Sequence, residues 1–321
     1  MAANYNAVTA DQMAEALDQE FIENFRGEFD RFAEILGLFE IETNAAGTAL
    51  YQYKVTGSLF DGVINASYTG ETGETGESGY VPASIQLGAS SGTAYIDGDM
   101  IARSKYTLTK TPIGEVDFIP YAKETSAKAI LKAGYEKAIV RTDQKARQQL
   151  RAAIMGDFFA LLANGTTTAT GVGLQAALAQ ADAALGTALE NNGEEGGRIV
   201  YFVNRLDAAE YLANTNVSTQ NAFGMSYLEN FLGVENVILT SKVAQGTLYG
   251  TPVDNIHVYG LDFGALGNAG LNYESDDLGL AGVHHDPDYD HGTANTFLVR
   301  GAKFVPEITD FIVKGTVAAS A

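Results

Sequence analysis

Apolar residues at helical spacing dominate the stretch from Glu124 to Leu162. They recur at steps of three and four, which places them along one face of an α-helix. These residues are Ala127, Ile130, Leu131, Gly134, Tyr135, Ala138, Ile139, Leu150, Ala153, Ile154, Phe158, Leu161 and Leu162. Gly134 and Thr142 are expected to divide the run, and the part from Tyr135 to Ala163 would be about 43 Å long at 1.5 Å per residue. Because that length exceeds a single compact core, the pattern predicts a spine helix.

A second helical pattern covers residues 8–36 near the N-terminus. Its apolar positions are Met13, Leu17, Phe21, Ile22, Phe25, Phe29, Phe32 and Leu36. The pattern predicts an amphipathic helical arm. Packing on its own core and packing on another subunit are both open for this arm.

Strand patterns lie between these two helical regions. Residues 51–55 alternate with the period of a half-buried strand, and Ala102 to Leu108 is expected to form the returning strand of a hairpin. Between them, Gly70 to Gly79 has a glycine at every third position, but three triplets without proline cannot form a collagen helix. We therefore predict an acidic hairpin tip. A hairpin of this length cannot bury both faces against its own chain, so it lies over the body or reaches a neighbour.

The section after the spine predicts alternating helices and strands. Gly165 to Gly171 is expected to be a loop, and Leu174 to Leu189 an alanine-rich helix. Arg198 to Val203 is a continuous apolar run typical of a buried strand, and Asn204 is the predicted N-cap of a helix from Arg205 to Ala213. Further strands are expected over 231–239, 253–259 and, as two short terminal strands returning toward the spine, 296–306.

Charge is unevenly distributed along the chain. From Arg103 to Arg151 there are 11 Lys and Arg against 5 Asp and Glu, a net charge of +6, whereas Ala152 to Thr296 has 3 against 17, a net charge of −14. The total of −20 should repel nucleic acid, whose phosphates bind through Lys and Arg. The basic face of the spine is expected either to contact anionic neighbours or to be a solvated face that balances carboxylates of other subunits. Its residues are Lys137, Arg141, Lys145 and Arg151.

Composition narrows the class of protein further. The chain has 321 residues and no cysteine, so disulfide scaffolds and thiolate metal sites are excluded. No apolar run approaches 18 residues, so no membrane span is expected. The N-terminus lacks the basic and apolar regions of a secretory signal. A cytoplasmic product is the expectation.

One glycine motif matches a nucleotide-binding fingerprint in form. Gly171 to Ala176 has the GxGxxA spacing, and Glu190 lies about 20 residues from its start, where a ribose-binding acid would be. The motif is expected to follow a polar loop instead of a strand. We therefore predict a helix start, with no cofactor bound there.

The densest polar cluster lies between Val283 and Gly292. Its candidate metal ligands are His284, His285, Asp286, Asp288, Asp290 and His291, residue types that bind Zn²⁺ or Ca²⁺. The aspartate spacing matches the start of an EF-hand loop, but the glycine at Gly292 is one place late and Phe297 occupies the position of the final glutamate. A solvated loop is favoured over a metal site. No catalytic residue is predicted, and His257 is expected to be packed within a strand.

The order of these parts resembles the major capsid proteins of tailed bacteriophages with the Hong Kong 97-type (Johnson) fold. The segments most similar to that family are Ile119–Ile130, Lys137–Asp143 and Arg198–Asn204. The resemblance implies an α+β fold with an N-terminal arm, an extended β-hairpin loop, a peripheral domain with the long spine helix, and an axial α/β domain. The implied boundaries are 1–48 for the arm, 49–112 for the extended loop, 113–164 for the peripheral domain, 165–285 for the axial domain, and 286–321 for the return to the peripheral domain.

The resemblance also implies a function and partners. The chain would self-assemble through pentamers and hexamers into an icosahedral phage head that encloses double-stranded DNA without sequence-specific binding. Portal and decoration proteins are implied partners, and the shell would be assembled in the host cytoplasm and become part of the virion. The hairpin pattern begins near residue 50, which leaves no space for a removable scaffolding segment of about a hundred residues, beyond ordinary loop lengths. A separately encoded scaffold, or none, is therefore expected.

Three other functions are considered. An encapsulin-type nanocompartment has the same fold but packages enzymes. A metal-dependent hydrolase would use the cluster from His284 to His291. An extracellular adhesive protein is disfavoured because the chain lacks a signal peptide.

Overall fold

The computed structural model describes residues 10–56, 107–194, 197–214, 220–222, 225–231 and 234–319. The expected hairpin tip at 70–79 and most of the expected strand at 102–108 lie outside these ranges. The chain divides into two compact units, one made of Met1–Ala49 with Glu115–Ala321 and the other of Leu50–Gly114. No helix within the described ranges has the length and hydropathy needed to cross a membrane.

The N-terminal helix α1 spans Ala10–Leu36 and confirms the first helical prediction. Its apolar residues Phe21, Ile22 and Phe25 are buried. Phe21 and Ile22 pack against Val283 and Leu298 of its own chain. In the described structure, α1 therefore covers its own body.

The spine is confirmed, in three pieces. Helix α2 spans Ala127–Ala133, a π-helical turn spans Glu136–Val140, and α3 spans Arg141–Ala163. Gly134 ends α2 with φ 82°, a conformation that favours glycine. Thr142 lies where the π turn meets α3, and its hydroxyl lies 2.8 Å from the carbonyl oxygens of both Ala138 and Ile139.

The start of the spine prediction is wrong, because residues 124–126 belong to a strand. Strand β4 spans Ile119–Ser126 and pairs with β14, Thr293–Arg300, along its whole length. Ladder hydrogen bonds therefore hold these residues extended. The helix begins only after Ser126, whose side chain caps it.

A seven-stranded sheet forms the centre of the larger unit, in the order β5-β16-β10-β6-β9-β8-β7. Its strands are β5 Thr167–Val172, β6 Ile199–Asn204, β7 Gln220–Ala222, β8 Met225–Phe231, β9 Val234–Thr240, β10 Thr247–Pro252 and β16 Val313–Ala318. Helices α4, Gly173–Asn192, and α5, Arg205–Asn214, follow β5 and β6. The Asn204 side chain accepts a hydrogen bond from the Leu206 N–H at 2.7 Å, which confirms the predicted cap.

Alternation along β6 divides the core between the two faces of this sheet. Val200 and Phe202 pack in one cluster with Phe158 of α3. Tyr201 and Val203 pack in a second cluster with α4, including Leu178. The spine helix and α4 therefore cover opposite faces, because successive strand side chains point to opposite sides.

Three local predictions in this region are wrong in whole or in part. Thr167–Gly171, expected to lie in a loop, belongs to β5, which pairs in parallel with β16. The single strand expected over 231–239 is divided between β8 and β9. The strand expected over 253–259 is present as β11, Ile256–Leu261, but it starts later because Val253–Asn255 form a 3₁₀ turn.

Two smaller sheets complete the larger unit. One has four strands in the order β12-β13-β14-β4, with β12 at Glu274–Ser275 and β13 at Ala281–Asp288. The other has the order β1-β11-β15, with β1 at Glu40–Asn44 and β15 at Lys303–Pro306, and the short helix α6 spans Phe263–Gly267. The two predicted terminal strands are thus confirmed as β14 and β15. The domain boundary expected between residues 285 and 286 falls inside β13. The last strand, β16, does not return toward the spine with β14 but lies in the seven-stranded sheet.

The smaller unit contains a two-stranded sheet of β2, Ala49–Thr56, and β3, Thr107–Glu115. Almost every residue of β3 is exposed, and Leu108 is 61% exposed. The Lys110 ammonium lies 3.6 Å from the centre of the Tyr51 ring. A two-stranded ribbon of this kind is marginally stable in water by itself.

Candidate functional site

The only buried histidine in the described structure, His285, lies at the centre of a charged cluster. Alternation along β13 directs Val283 and His285 into the interior, whereas His284 is partly exposed. The Nδ1 of His285 is 2.6 Å from Asp18 Oδ1 on α1, and its Nε2 is 3.4 Å from Asp143 Oδ2 on α3. All three side chains are less than 10% exposed. The imidazole therefore joins two helices to the sheet.

Asp143 connects this histidine to two further strands. The Lys123 ammonium on β4 forms a salt bridge with Asp143 Oδ1 and donates to Thr142 Oγ1 at 2.9 Å. The Thr296 hydroxyl on β14 lies 3.4 Å from the same carboxylate oxygen. The cluster thus brings two carboxylates together with one lysine and one histidine, the kind of pairing that buried charges require.

The cluster shifts the pKa of its members in opposite directions. Burial lowers the pKa of His285, but the hydrogen bonds to Asp143 and Asp18 outweigh burial and raise it above 6.5. Burial raises the pKa of Asp143, but the hydrogen bonds from His285 and Lys123 outweigh burial and lower it below 3.8. Both shifts favour the ionised pair over its neutral form.

These shifts predict a pH-dependent stability. Because the folded-state pKa of His285 is raised, its contribution is complete below the unfolded value of 6.5 and is lost as pH rises through the folded value. The pKa of Asp143 is lowered, so its contribution is present above 3.8 and is lost as pH falls through the folded value. We expect the difference in melting temperature between the wild type and His285→Gln to shrink as pH rises above 6.5.

Thermal unfolding of both proteins at several pH values checks this expectation. His291→Gln is the matched control, because His291 is 76% exposed in its side chain. A difference between wild type and His285→Gln that stays constant or grows with rising pH would contradict the prediction.

The structure does not assemble the six metal candidates into one site. His285 contacts Asp18 and Asp143, whereas His291 pairs with Asp288 at 2.7 Å in the turn between β13 and β14. Asp286 and Asp290 are exposed. No group of three or more His, Cys, Asp or Glu residues within the described ranges could hold a metal ion. The prediction of a solvated loop is also wrong, since residues 281–288 and 293–300 are paired strands.

The chemistry of the cluster fits a clamp. Its charged atoms are bound to other groups of the protein, and the cavity beside it, of about 220 Å³, is lined mostly by apolar residues such as Leu17, Ile130 and Ile139. Sequence reasoning missed Asp18, Lys123 and Asp143. Asp18 and Asp143 lie 267 and 142 residues from His285, so no spacing rule connects them.

The glycine motif has a strand before it, contrary to expectation. Gly171, the next-to-last residue of β5, lies so close to α4 that a Cβ there would be 2.3 Å from the Ala177 nitrogen. A cavity of about 420 Å³ opens at the start of α4, and Asp207 and Glu210 are among its lining residues. Its described lining includes no lysine or arginine, so phosphate binding is disfavoured by charge.

His257 is half-buried on β11, 3.8 Å from Glu40 and 3.9 Å from Glu307.

Comparison with solved structures identifies the fold. The chain is similar to the capsid structure of cyanophage P-SCSP1u, with a TM-score of 0.52, 10% identity and coverage of 88% of this chain and 86% of that one. It is similar to a subunit of the mature capsid of bacteriophage PhiM1, with a TM-score of 0.50, 7% identity and coverage of 87% and 85%. An encapsulin complex from Synechococcus elongatus matches with a TM-score of 0.48, 12% identity and coverage of 67% and 78%. No protein-family model and no curated protein matches the chain.

Proposed function

We propose that this chain, which has the Hong Kong 97-type capsid fold expected from its sequence, is the major capsid protein of a tailed bacteriophage. Its role is to assemble into the icosahedral shell that encloses double-stranded DNA. The observation that carries the proposal is the two-stranded ribbon of the smaller unit. Its β3 strand is exposed along almost its whole length, and such a ribbon requires a covering surface.

Shell assembly supplies that surface. A heterologous contact repeated by rotation closes rings, and rings of five and six close a shell. In this proposal the extended loop, residues 49–112, lies over a neighbouring subunit. The arm is 1–48, the peripheral domain 113–164 and the axial domain 165–285. Of residues 286–321, β14 returns to β4 of the peripheral domain, whereas β16 belongs to the sheet of the axial domain.

The remaining partners follow from the same proposal. A separately encoded scaffold, a portal and a decoration protein would complete the head, which assembles in the bacterial cytoplasm. The net charge of −20 favours a lumen that contains DNA without binding it tightly. The His285 cluster acts as a structural clamp, with no catalytic role.

Electron microscopy of the protein expressed alone tests the proposal. We expect capsomers, shells or tubes at physiological salt and neutral pH, because the ribbon has an exposed strand to bury. A monodisperse monomer across a wide range of protein concentration would refute the proposal. Particles that contain a co-purified enzyme in place of DNA would favour the encapsulin alternative.

A further inference from the structure

Helix α2 is a short helix without a buried residue. Its Leu131 side chain is 88% exposed. Its ends are fixed by the Ser126 hydroxyl oxygen, which accepts from the Ala129 N–H at 3.2 Å, and by the Gly134 N–H, which donates to the Ile130 carbonyl at 2.8 Å. On its inner side, Ile130 is partly buried and lines the cavity that Leu17 of α1 also lines. Helices shorter than about 12 residues are marginal in water unless they pack against other structure. The outer face of α2 is therefore a surface that gains from being covered.

The turn between β13 and β14 lies directly beside α2. The Gly292 carbonyl accepts a hydrogen bond from the Ala127 N–H at 2.8 Å. Asp288 fixes the turn, because its Oδ1 accepts from the N–H groups of Asp290 and His291 at 3.0 and 3.1 Å. Tyr289 is 80% exposed on this turn. A large aromatic side chain is thus presented on a preorganised turn, the arrangement that lowers the entropy cost of binding.

The charges of α2 and of the turn are opposite. Lys128, Leu131 and Lys132 are spaced i, i+3 and i+4, which places them on one helix face, and both lysines are exposed. The hairpin contributes the exposed carboxylates Asp286 and Asp290. None of these four charged side chains forms an ion pair within the part of the chain that the structure describes. The carboxylates would repel a nucleic-acid backbone from the lysines, whereas a second copy of this chain presents the complementary charges.

We propose that α2 and the β13–β14 turn form a docking surface for a second copy of this chain. Tyr289 of one copy packs against Leu131 of the next as the apolar centre of the contact. Asp286 and Asp290 of the first copy pair with Lys128 and Lys132 of the second at its rim. The inference rests on the proposed shell function and adds a specific contact to it.

Charge reversal tests this contact. Lys128→Glu with Lys132→Glu, or Asp286→Lys with Asp290→Lys, should each raise the protein concentration needed for half-maximal assembly by about tenfold or more, because like charges would then oppose each other. Sedimentation across a concentration series measures this value, and circular dichroism verifies the fold. The matched controls are Lys242→Glu with Lys314→Glu and Glu190→Lys with Glu194→Lys, all at exposed positions, which should shift assembly less.

The variant with all four reversals separates a contact between copies from one within a chain. It should assemble like the wild type, since its charges again match. Mixed with affinity-tagged wild type before assembly, it should sort into separate particles, because a reversed copy opposes a wild-type copy with like charges. Random co-assembly of the two proteins would overturn the proposal.

Two other results are decisive. Particles that form normally despite either pair of reversals, at the same concentration as the controls, would overturn this contact and leave the shell function intact. A wild-type chain that stays monomeric would overturn both.

Discussion

Removal of residues Leu50–Gly114, with two glycines joining Ala49 to Glu115, is expected to abolish shell formation while the larger unit stays folded. The ends of the larger unit are already adjacent. The Thr48 carbonyl accepts from the Val116 N–H at 3.0 Å, and the Gly47 N–H donates to the Val116 carbonyl at 3.0 Å. A short linker can therefore replace the smaller unit at little cost in loop-closure entropy. If the exposed ribbon holds neighbouring subunits together, its loss removes that contact from every subunit.

Far-UV circular dichroism, thermal unfolding and electron microscopy of the deletion variant measure the two effects separately. Deleting only residues 70–79, outside the described ranges, is the milder control, and we expect it to lower shell yield or shell stability with nearly unchanged subunit unfolding. Unfolding of the larger unit on removal of residues 50–114 would show that the ribbon belongs to the core. Shells of normal yield would show that the ribbon does not join subunits.

Replacement of Asp143 by alanine is expected to lower the free energy of unfolding by about 3 to 5 kcal/mol, the range for breaking a buried ion pair by removing one partner. The variant leaves the Lys123 ammonium and the His285 imidazole without the carboxylate that they share. Because the Asp143 side chain is only 7% exposed, its removal leaves a void within the packed cluster. Urea unfolding followed by circular dichroism measures the loss.

Asp286→Ala is the matched control for this variant. Asp286 is exposed, so its replacement should change the free energy of unfolding by less than about 0.5 kcal/mol. Asp143→Asn, which retains the shape of the side chain without its charge, should fall between the two. A loss below about 1 kcal/mol for Asp143→Ala would mean that the cluster does not clamp α3 to the sheet.

Local periodicity accounts for the elements that the sequence predicted correctly. Helix α1, the spine and the cap at Asn204 depend on neighbours two to four residues away, so the sequence alone reveals them. Strand β5 was missed because Thr167–Val172 is rich in threonine and lacks an alternating pattern of large apolar residues. It is a strand because β16, more than 140 residues later, supplies its hydrogen-bond partners. Pairings of this length leave no local pattern.

The charged cluster was only half visible in the sequence for the same reason. His285 was one of several histidines and aspartates between Val283 and Gly292, for which a solvated loop was predicted in preference to a metal site. Its partners, Asp18 and Asp143, lie on two helices for which the apolar pattern predicts packing and says nothing of buried charge. The alternation along β13 then decides the outcome, because it separates His284 and His285 onto different faces. Burial, which chain topology determines, made the histidine part of a clamp.

The separation of 267 residues between Asp18 and His285 also sets a delay during translation. A ribosome that adds roughly 5 to 20 residues per second would make Asp18 about 13 to 53 seconds before His285. During that interval Phe21 and Ile22 on the apolar face of α1 have already been made, but the β13 and β14 residues that cover them have not. Newly made chains on one messenger therefore expose this helix to one another before any of them is complete. Covering this helix during synthesis should therefore raise the fraction of chains that reach the fold needed for assembly.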